Sequence, residues 1–254
     1  MVKVHPPEIQ SLLFYPVKDR VPGQNAICTS HYKAWSFFFV NIYEQFHRFA
    51  NFFFLYIAIL QAIPAVSPLD PVMGFVGLFF MLGISMAKAG FEDYRRHKVD
   101  DEINNRLITL LNPSGVHEQI KWIDIQPGDI LIIEDDTEFP ADCLVIDASS
   151  TDKRCRIQTA ALDGETDLKY KRNIVDDVDL INKNFCIEMS TPNPSLSFFK
   201  GTLFLEDSTK YNLSINNFVP RGCVLKKTKF ALVLVVYTGE NTKIIMNSSK
   251  PKYK

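Results

Sequence analysis

The residues with the most chemical promise stand in one string, Thr159-Ala160-Ala161-Leu162-Asp163-Gly164-Glu165-Thr166-Asp167-Leu168-Lys169. Asp-Gly is a strong turn signal, because Asp tolerates the left-handed backbone region and Gly enters it without steric penalty. The turn places one carboxylate, Glu165, directly after the glycine. A glutamate at the tip of such a loop can be pushed into the active site of another domain, whereas most strings of this kind are solvated hairpins. The elements that carry the loop decide between the two.

A length of 254 residues holds one large domain or two ordinary ones, and 46% hydrophobic with 22% charged residues is ordinary for a folded protein. The net charge of -1 gives no reason to expect nucleic acid, and no zinc-finger or RNA-binding signature occurs. Many of the twenty Phe residues crowd between Phe37 and Phe91, so the average conceals a very apolar segment. Cys28, Cys143, Cys155, Cys186 and Cys223 are odd in number and form no Cys-x-x-Cys pair, which argues for a reducing, cytosolic environment and against a metal site.

Residues 1–34 are polar and broken by Pro6, Pro7, Pro16 and Pro22, without the pattern of a secretory signal. They are read as a cytosolic segment packing on a later domain as an edge strand. In residues 35–48, Trp35, Phe38, Phe39, Ile42, Phe46 and Phe49 recur at helical spacing. Glu44, Gln45, His47 and Arg48 interrupt them, as in an amphipathic helix at a membrane surface.

Residues 49–69 and 71–87 are free of charge, and a hydrocarbon core of ~30 Å needs about 20 apolar residues. Only Asp70 and the Ser67-Pro68 turn separate the two runs, which predicts a transmembrane hairpin over 49–90; two helices of a soluble core are the alternative. Arg48 precedes the hairpin, and Lys88, Arg95, Arg96 and Lys98 follow it, so the positive-inside rule puts both ends in the cytosol. The pairs Ala58/Ala62 and Gly83/Ala87 are spaced for close helix approach. Asn51, Gln61 and Ser85 are the polar side chains of the spans, and Pro64 loosens the helix end near Gln61, a place for a substrate headgroup.

Residues 91–106 form a charged, solvated stalk that continues the second helix. Over 107–249, apolar runs at 107–111, 130–133, 143–146, 156–159, 198–205 and 231–237 alternate with Gly/Pro turns. They predict an all-β domain, a distorted jelly roll, with 206–220 as loop and 176–184 as a polar insertion. A basic tail, 250–254, follows. No phosphate loop, His-Glu-x-x-His or Gly-x-Ser-x-Gly occurs, so no recognisable device in this chain binds a nucleotide.

Downstream of a two-helix hairpin, Leu162-Asp163-Gly164-Glu165-Thr166 resembles the P-type ATPases and, within them, the phospholipid flippases, whose Asp-Gly-Glu-Thr replaces the Thr-Gly-Glu of ion pumps. The likeness extends over Thr29-Ser30 with Tyr32, Glu44-Gln45-Phe46 with Arg48, and Ala50-Asn51-Phe52. It continues through Glu92-Asp93-Tyr94 with Arg96-His97-Lys98 and Asp100. In the β region it rests on Pro127-Gly128-Asp129, Phe139-Pro140-Ala141-Asp142, Arg221-Gly222-Cys223, Tyr237-Thr238-Gly239 and Thr242-Lys243, so that it covers about residues 20–249.

The resemblance implies that the β domain is an actuator, working on an Asp that ATP phosphorylates on a separate domain. Glu165 would orient and deprotonate the attacking water, Gly164 would permit close approach, and Asp163 and Thr166 would shape the turn. Gln61 matches the first of two consecutive glutamines that line the headgroup path in many flippases. Ala62 stands where the second would be, and Asn51 and Ser67 are further path candidates. Asp167 replaces the family's usual Asn. The resemblance also implies ATP and Mg2+ for a full-length enzyme, none bound by this chain, and as partners phospholipid, the phosphorylation and nucleotide-binding domains and a two-span accessory subunit. The expected location is a multi-pass protein of the plasma membrane or an endomembrane. The sequence stops before those further domains, so by itself it is expected to be inactive. It is read as part of a flippase, with a non-catalytic membrane adaptor or an ion-pump fragment as alternatives.

Overall fold

The computed structural model describes residues 9–15, 21–30, 32, 35–63, 70–175, 180, 183–206 and 208–248. They fall into two units, one within Cys28–Glu102 and one from the described parts of Met1–Ile27 and Ile103–Lys254.

The first unit is helical, with α1 (Phe37–Phe46), α2 (Phe49–Gln61) and most of α3 (Pro71–Asn104). The apolar face predicted to run on to Phe49 is interrupted: α1 ends at Phe46, Arg48 is extended at ψ 122°, and Phe49 opens α2. A side-chain contact spans the break: Asn51 Nδ2 donates to the Gln45 carbonyl, which also accepts the Arg48 amide, at 2.9 Å and to Gln45 Oε1 at 3.1 Å.

α2 has 13 residues, about 20 Å at the α-helical rise, and residues 64–69, through which the first predicted span continues, lie outside the described residues. α3 has 34 residues, about 51 Å. Among the described residues it contains the one helix long and apolar enough to cross a membrane, and Val72, Met73, Val76, Phe79, Phe80 and Ile84 on it are exposed. The charged stretch predicted as a stalk belongs to this same helix as far as Asn104. Close approach of α2 and α3 occurs at a different pair of small residues from those expected. Ala58 is buried against Gly74, whereas Ala62, Gly83 and Ala87 are exposed.

The second unit is antiparallel β. Its strands are β1 (Ile9–Tyr15), β2 (Leu107–Leu111), β3 (His117–Lys121), β4 (Ile130–Glu134), β5 (Asp142–Ala148), β6 (Arg154–Gln158) and β7 (Leu168–Arg172). They continue with β8 (Phe185–Ser190), β9 (Lys200–Leu205), β10 (Lys210–Ser214), β11 (Phe218–Val219), β12 (Val224–Lys226) and β13 (Phe230–Tyr237). Two short helices, α4 (Ala160–Asp163) and α5 (Lys243–Asn247), complete it. The sheets run β1-β8-β9-β10, β11-β5-β13-β4-β2-β3 and β12-β6-β7. β1 is thus an edge strand, paired antiparallel with β8.

The six-stranded sheet is buried on both faces along β4, β5 and β13. Along β13, Ala231, Val233 and Val235 enter one core cluster and Leu232, Leu234 and Val236 the other, as period-2 alternation requires. Cys155, Ile157 and Leu225 of the three-stranded sheet join the first cluster; Phe185, Ile187, Leu203 and Leu213 of the four-stranded sheet join the second. This arrangement explains why β4, β5 and β13 read as continuous apolar runs.

The stretch 206–220 is not all loop: β10 pairs with β9, and Phe218 and Val219, both fully buried, pair with β5. Of the predicted insertion at 176–184, most lies outside the described residues, and Leu180 is buried in the second cluster.

Candidate functional site

The loop of interest joins two paired strands. Gln158 on β6 faces Leu168 on β7, and the residues between them project from the end of that hairpin. Thr159 is buried, and Leu162 packs against the first core cluster, so the base of the loop is tied to the interior. The chain makes one helical turn, α4, and leaves it at Gly164 with φ +75°. The turn expected at Asp-Gly takes the form of a helix end: Asp163 is the last helical residue and Gly164 takes the left-handed conformation, as a helix C-cap does. A Cβ on Gly164 would meet nothing within 4 Å, so within this chain the glycine answers to backbone angle and not to space.

Asp163 organises the loop. Its carboxylate accepts from the Thr159 hydroxyl at 2.9 and 3.0 Å, from the Glu165 amide at 3.0 Å and from Lys169 Nζ at 2.5 Å. The Lys169 bond and the Glu165 amide hold its carboxyl well below the usual range, at about 2. Lys169 Nζ also reaches Glu165 Oε2 at 2.8 Å, and both carboxylates push the lysine's pKa up. Glu165 stands at the tip with 62% of its side chain exposed. Thr166 is exposed, and its hydroxyl has no partner among the described residues. Asp163, Gly164 and Glu165 stand together at the end of the hairpin with Lys169, and Thr166 lies at the margin.

Behind α4 lies a buried polar frame. A Cβ on Gly222 would sit 3.5 Å from Ile244 and 3.9 Å from Ala161, so β12's approach and α5 back the loop closely. Asp142 is fully buried and accepts the Arg221 and Lys243 backbone amides at 2.8 Å each; burial pushes its carboxyl up to about 6 against those bonds. Lys243 Nζ is satisfied by Asn193 Oδ1 at 2.9 Å and the Ser195 carbonyl at 2.8 Å. Asn25, also fully buried, donates to the Trp122 and Pro140 carbonyls and accepts from Arg221 Nη1 and the Gly239 amide. Neither Asn25 nor Lys169 was singled out from sequence. The only signal for Lys169 was a cation four residues after Glu165.

Of the path candidates, Asn51, Gln61 and Ala62 are described, all at or beside α2. Asn51 bonds to Gln45 at the end of α1, and Gln61 lies ten residues further along α2, about 15 Å away along the axis. Gln61 Oε1 is buried without a hydrogen-bond partner among the described residues and fills the space beside Gly74, whereas Ala62 is exposed. Pro64 and Ser67 lie outside the described residues. No group of three His, Cys, Asp or Glu side chains among the described residues could share a metal ion.

Residues 105–248 match the family model described as P-type ATPase actuator domain, and residues 19–75 match that described as Phospholipid-translocating ATPase N-terminal. The chain belongs to the phospholipid-translocating P-type ATPases. It carries the N-terminal domain and the actuator domain of that family. It is 38% identical to Phospholipid-transporting ATPase IC of Mus musculus over 98% of this chain and 20% of the relative. Phospholipid-transporting ATPase ID of Homo sapiens is 37% identical over 91% of the chain and 20% of the relative. The chain thus spans about a fifth of the curated relatives it matches. The loop described above lies inside the actuator-domain match, and Asn51 and Gln61 lie inside the N-terminal match.

Proposed function

We propose that the chain acts as the amino-terminal part of an ATP-driven phospholipid flippase, moving phospholipid toward the cytosolic leaflet. In this reading α2 and α3 form a transmembrane hairpin with both ends cytosolic, and the β unit is the distorted jelly roll of the actuator. The observation that carries the proposal is the loop itself: a glutamate at its exposed tip, on a base tied to the core through Thr159 and Leu162.

The chemistry follows. An aspartyl phosphate on the phosphorylation domain is attacked by water; Glu165 takes a proton from that water as the new O–P bond forms. The bond between phosphorus and the aspartyl oxygen breaks, inorganic phosphate leaves and the aspartate carboxylate is restored. Rotation of the actuator about its connections would couple this step to lipid passage beside Gln61 and Asn51. ATP and Mg2+ belong, in this proposal, to the phosphorylation and nucleotide-binding domains. A two-span accessory subunit is a further proposed partner, and the plasma membrane or an endomembrane the proposed location.

The test is transport. The intact protein, expressed from its own gene and reconstituted in vesicles, is expected to move labelled phospholipid to the leaflet bearing the actuator when ATP is added. Vesicles that hydrolyse no ATP and move no lipid would overturn the proposal.

A further inference from the structure

We infer that Lys169 is a positioning residue of the dephosphorylation loop, its ammonium group bridging the Asp163 and Glu165 carboxylates so that the Glu165 carboxylate is held in place at the tip. The inference rests on the reading of Glu165 as the base and adds a residue to that site.

The geometry is that of a bridge and not of a single surface pair. Lys169 is the second residue of β7, opposite Ile157, which is fully buried, so its backbone is fixed by the core. From there Nζ lies 2.5 Å from Asp163 Oδ2 and 2.8 Å from Glu165 Oε2. Asp163 is already anchored by the Thr159 hydroxyl and the Glu165 amide, so the lysine transfers that anchorage to the Glu165 side chain. An isolated exposed ion pair contributes little. Here, however, one cation joins two carboxylates, and without it the Glu165 side chain loses its tie to the anchored Asp163. The phosphorylated site that the loop would enter is itself anionic, and losing Lys169 adds a net negative charge to the tip that works against that approach.

Decay of phosphoenzyme in the intact protein at about pH 7 tests this. Lys169→Met is expected to slow decay about fivefold. Lys169→Arg, which keeps a cation at the bridge, should restore it. Wild-type decay in Lys169→Met would overturn the inference. So would a slowing that arginine does not rescue, which is the mark of a merely structural residue. Glu165→Gln run alongside separates the two readings: arrested decay there with unaltered decay in Lys169→Met removes Lys169 alone, whereas normal decay in Glu165→Gln removes the base and the bridge together.

Discussion

The Gln61 side-chain oxygen occupies the place that a side chain on residue 74 would need: a Cβ built on Gly74 would lie 2.2 Å from Gln61 Oε1 and 3.3 Å from Ala58 Cα. The glycine on α3 and the glutamine on α2 are therefore one packing unit. Gly74→Ala forces the flexible Gln61 end aside and presses on the Ala58 backbone. It is expected to lower thermal stability of the detergent-solubilised protein by about 1–3 kcal/mol, as overpacking does. Gln61→Ala in the same protein should recover part of that loss, so that the two changes are non-additive. Additive effects would show that the two side chains do not compete for this space.

Asp142 accepts two backbone amides in a fully buried place, and neither donor is replaced elsewhere if the carboxylate goes. Orphaning each donor costs about 1–3 kcal/mol, so Asp142→Ala should lower unfolding stability by about 2–6 kcal/mol, with a smaller loss for Asp142→Asn, which keeps one acceptor. The sign with pH follows from a folded pKa of about 6 against an ordinary 3.8. The folded state holds this proton more tightly, so the contribution of Asp142 falls as pH rises from about 4 to about 6. Melts across that range, wild type against Asp142→Asn, measure it.

Asp163 has the opposite linkage. Its carboxyl is held at about 2 against an ordinary 3.8, chiefly by the Lys169 hydrogen bond. Its contribution to loop order is complete above about pH 4 and is lost as pH falls through about 2. Carboxyl-carbon NMR of Asp163 is expected to show a midpoint near 2, and Lys169→Met is expected to raise it. An unchanged midpoint in that variant would mean that the lysine bond is not what lowers it.

Two glycines with positive φ separate backbone strain from crowding. Gly164→Ala meets no atom within 4 Å and should cost only the left-handed penalty, about 1–2 kcal/mol. Gly239→Ala at φ +54° would also put its Cβ 2.6 Å from the Gln24 carbonyl oxygen, and it should be the more damaging of the two in thermal melts.

β4, β5 and β13, buried on both faces, could be read directly from the sequence because unbroken apolar runs survive without context, and β2, β6 and β9 also fall on runs read there. β3 and β10 were missed because each buries a single side chain, Ile120 and Leu213, among exposed or half-buried polar neighbours. β8 did carry alternation, Phe185, Ile187 and Met189 inward, but polar neighbours masked it. The break between α1 and α2 falls where the sequence divides the amphipathic stretch 35–48 from the hairpin 49–90, but the Asn51 contact that spans it reaches back six residues, which periodicity does not encode. In the candidate site, Asp163, Gly164 and Glu165 were visible as a string. The convergence of Lys169 on both carboxylates depends on the Gln158–Leu168 closure of the hairpin, which no local pattern announces.

The central claim is that Glu165 removes the phosphoryl group from an aspartyl phosphate. The most direct measurement is phosphoenzyme level and decay in the intact protein carrying Glu165→Gln, supplied with labelled ATP. The account expects phosphoenzyme to accumulate, to persist after an unlabelled chase, and lipid transport to stop. Decay at the wild-type rate, with transport intact, would contradict it.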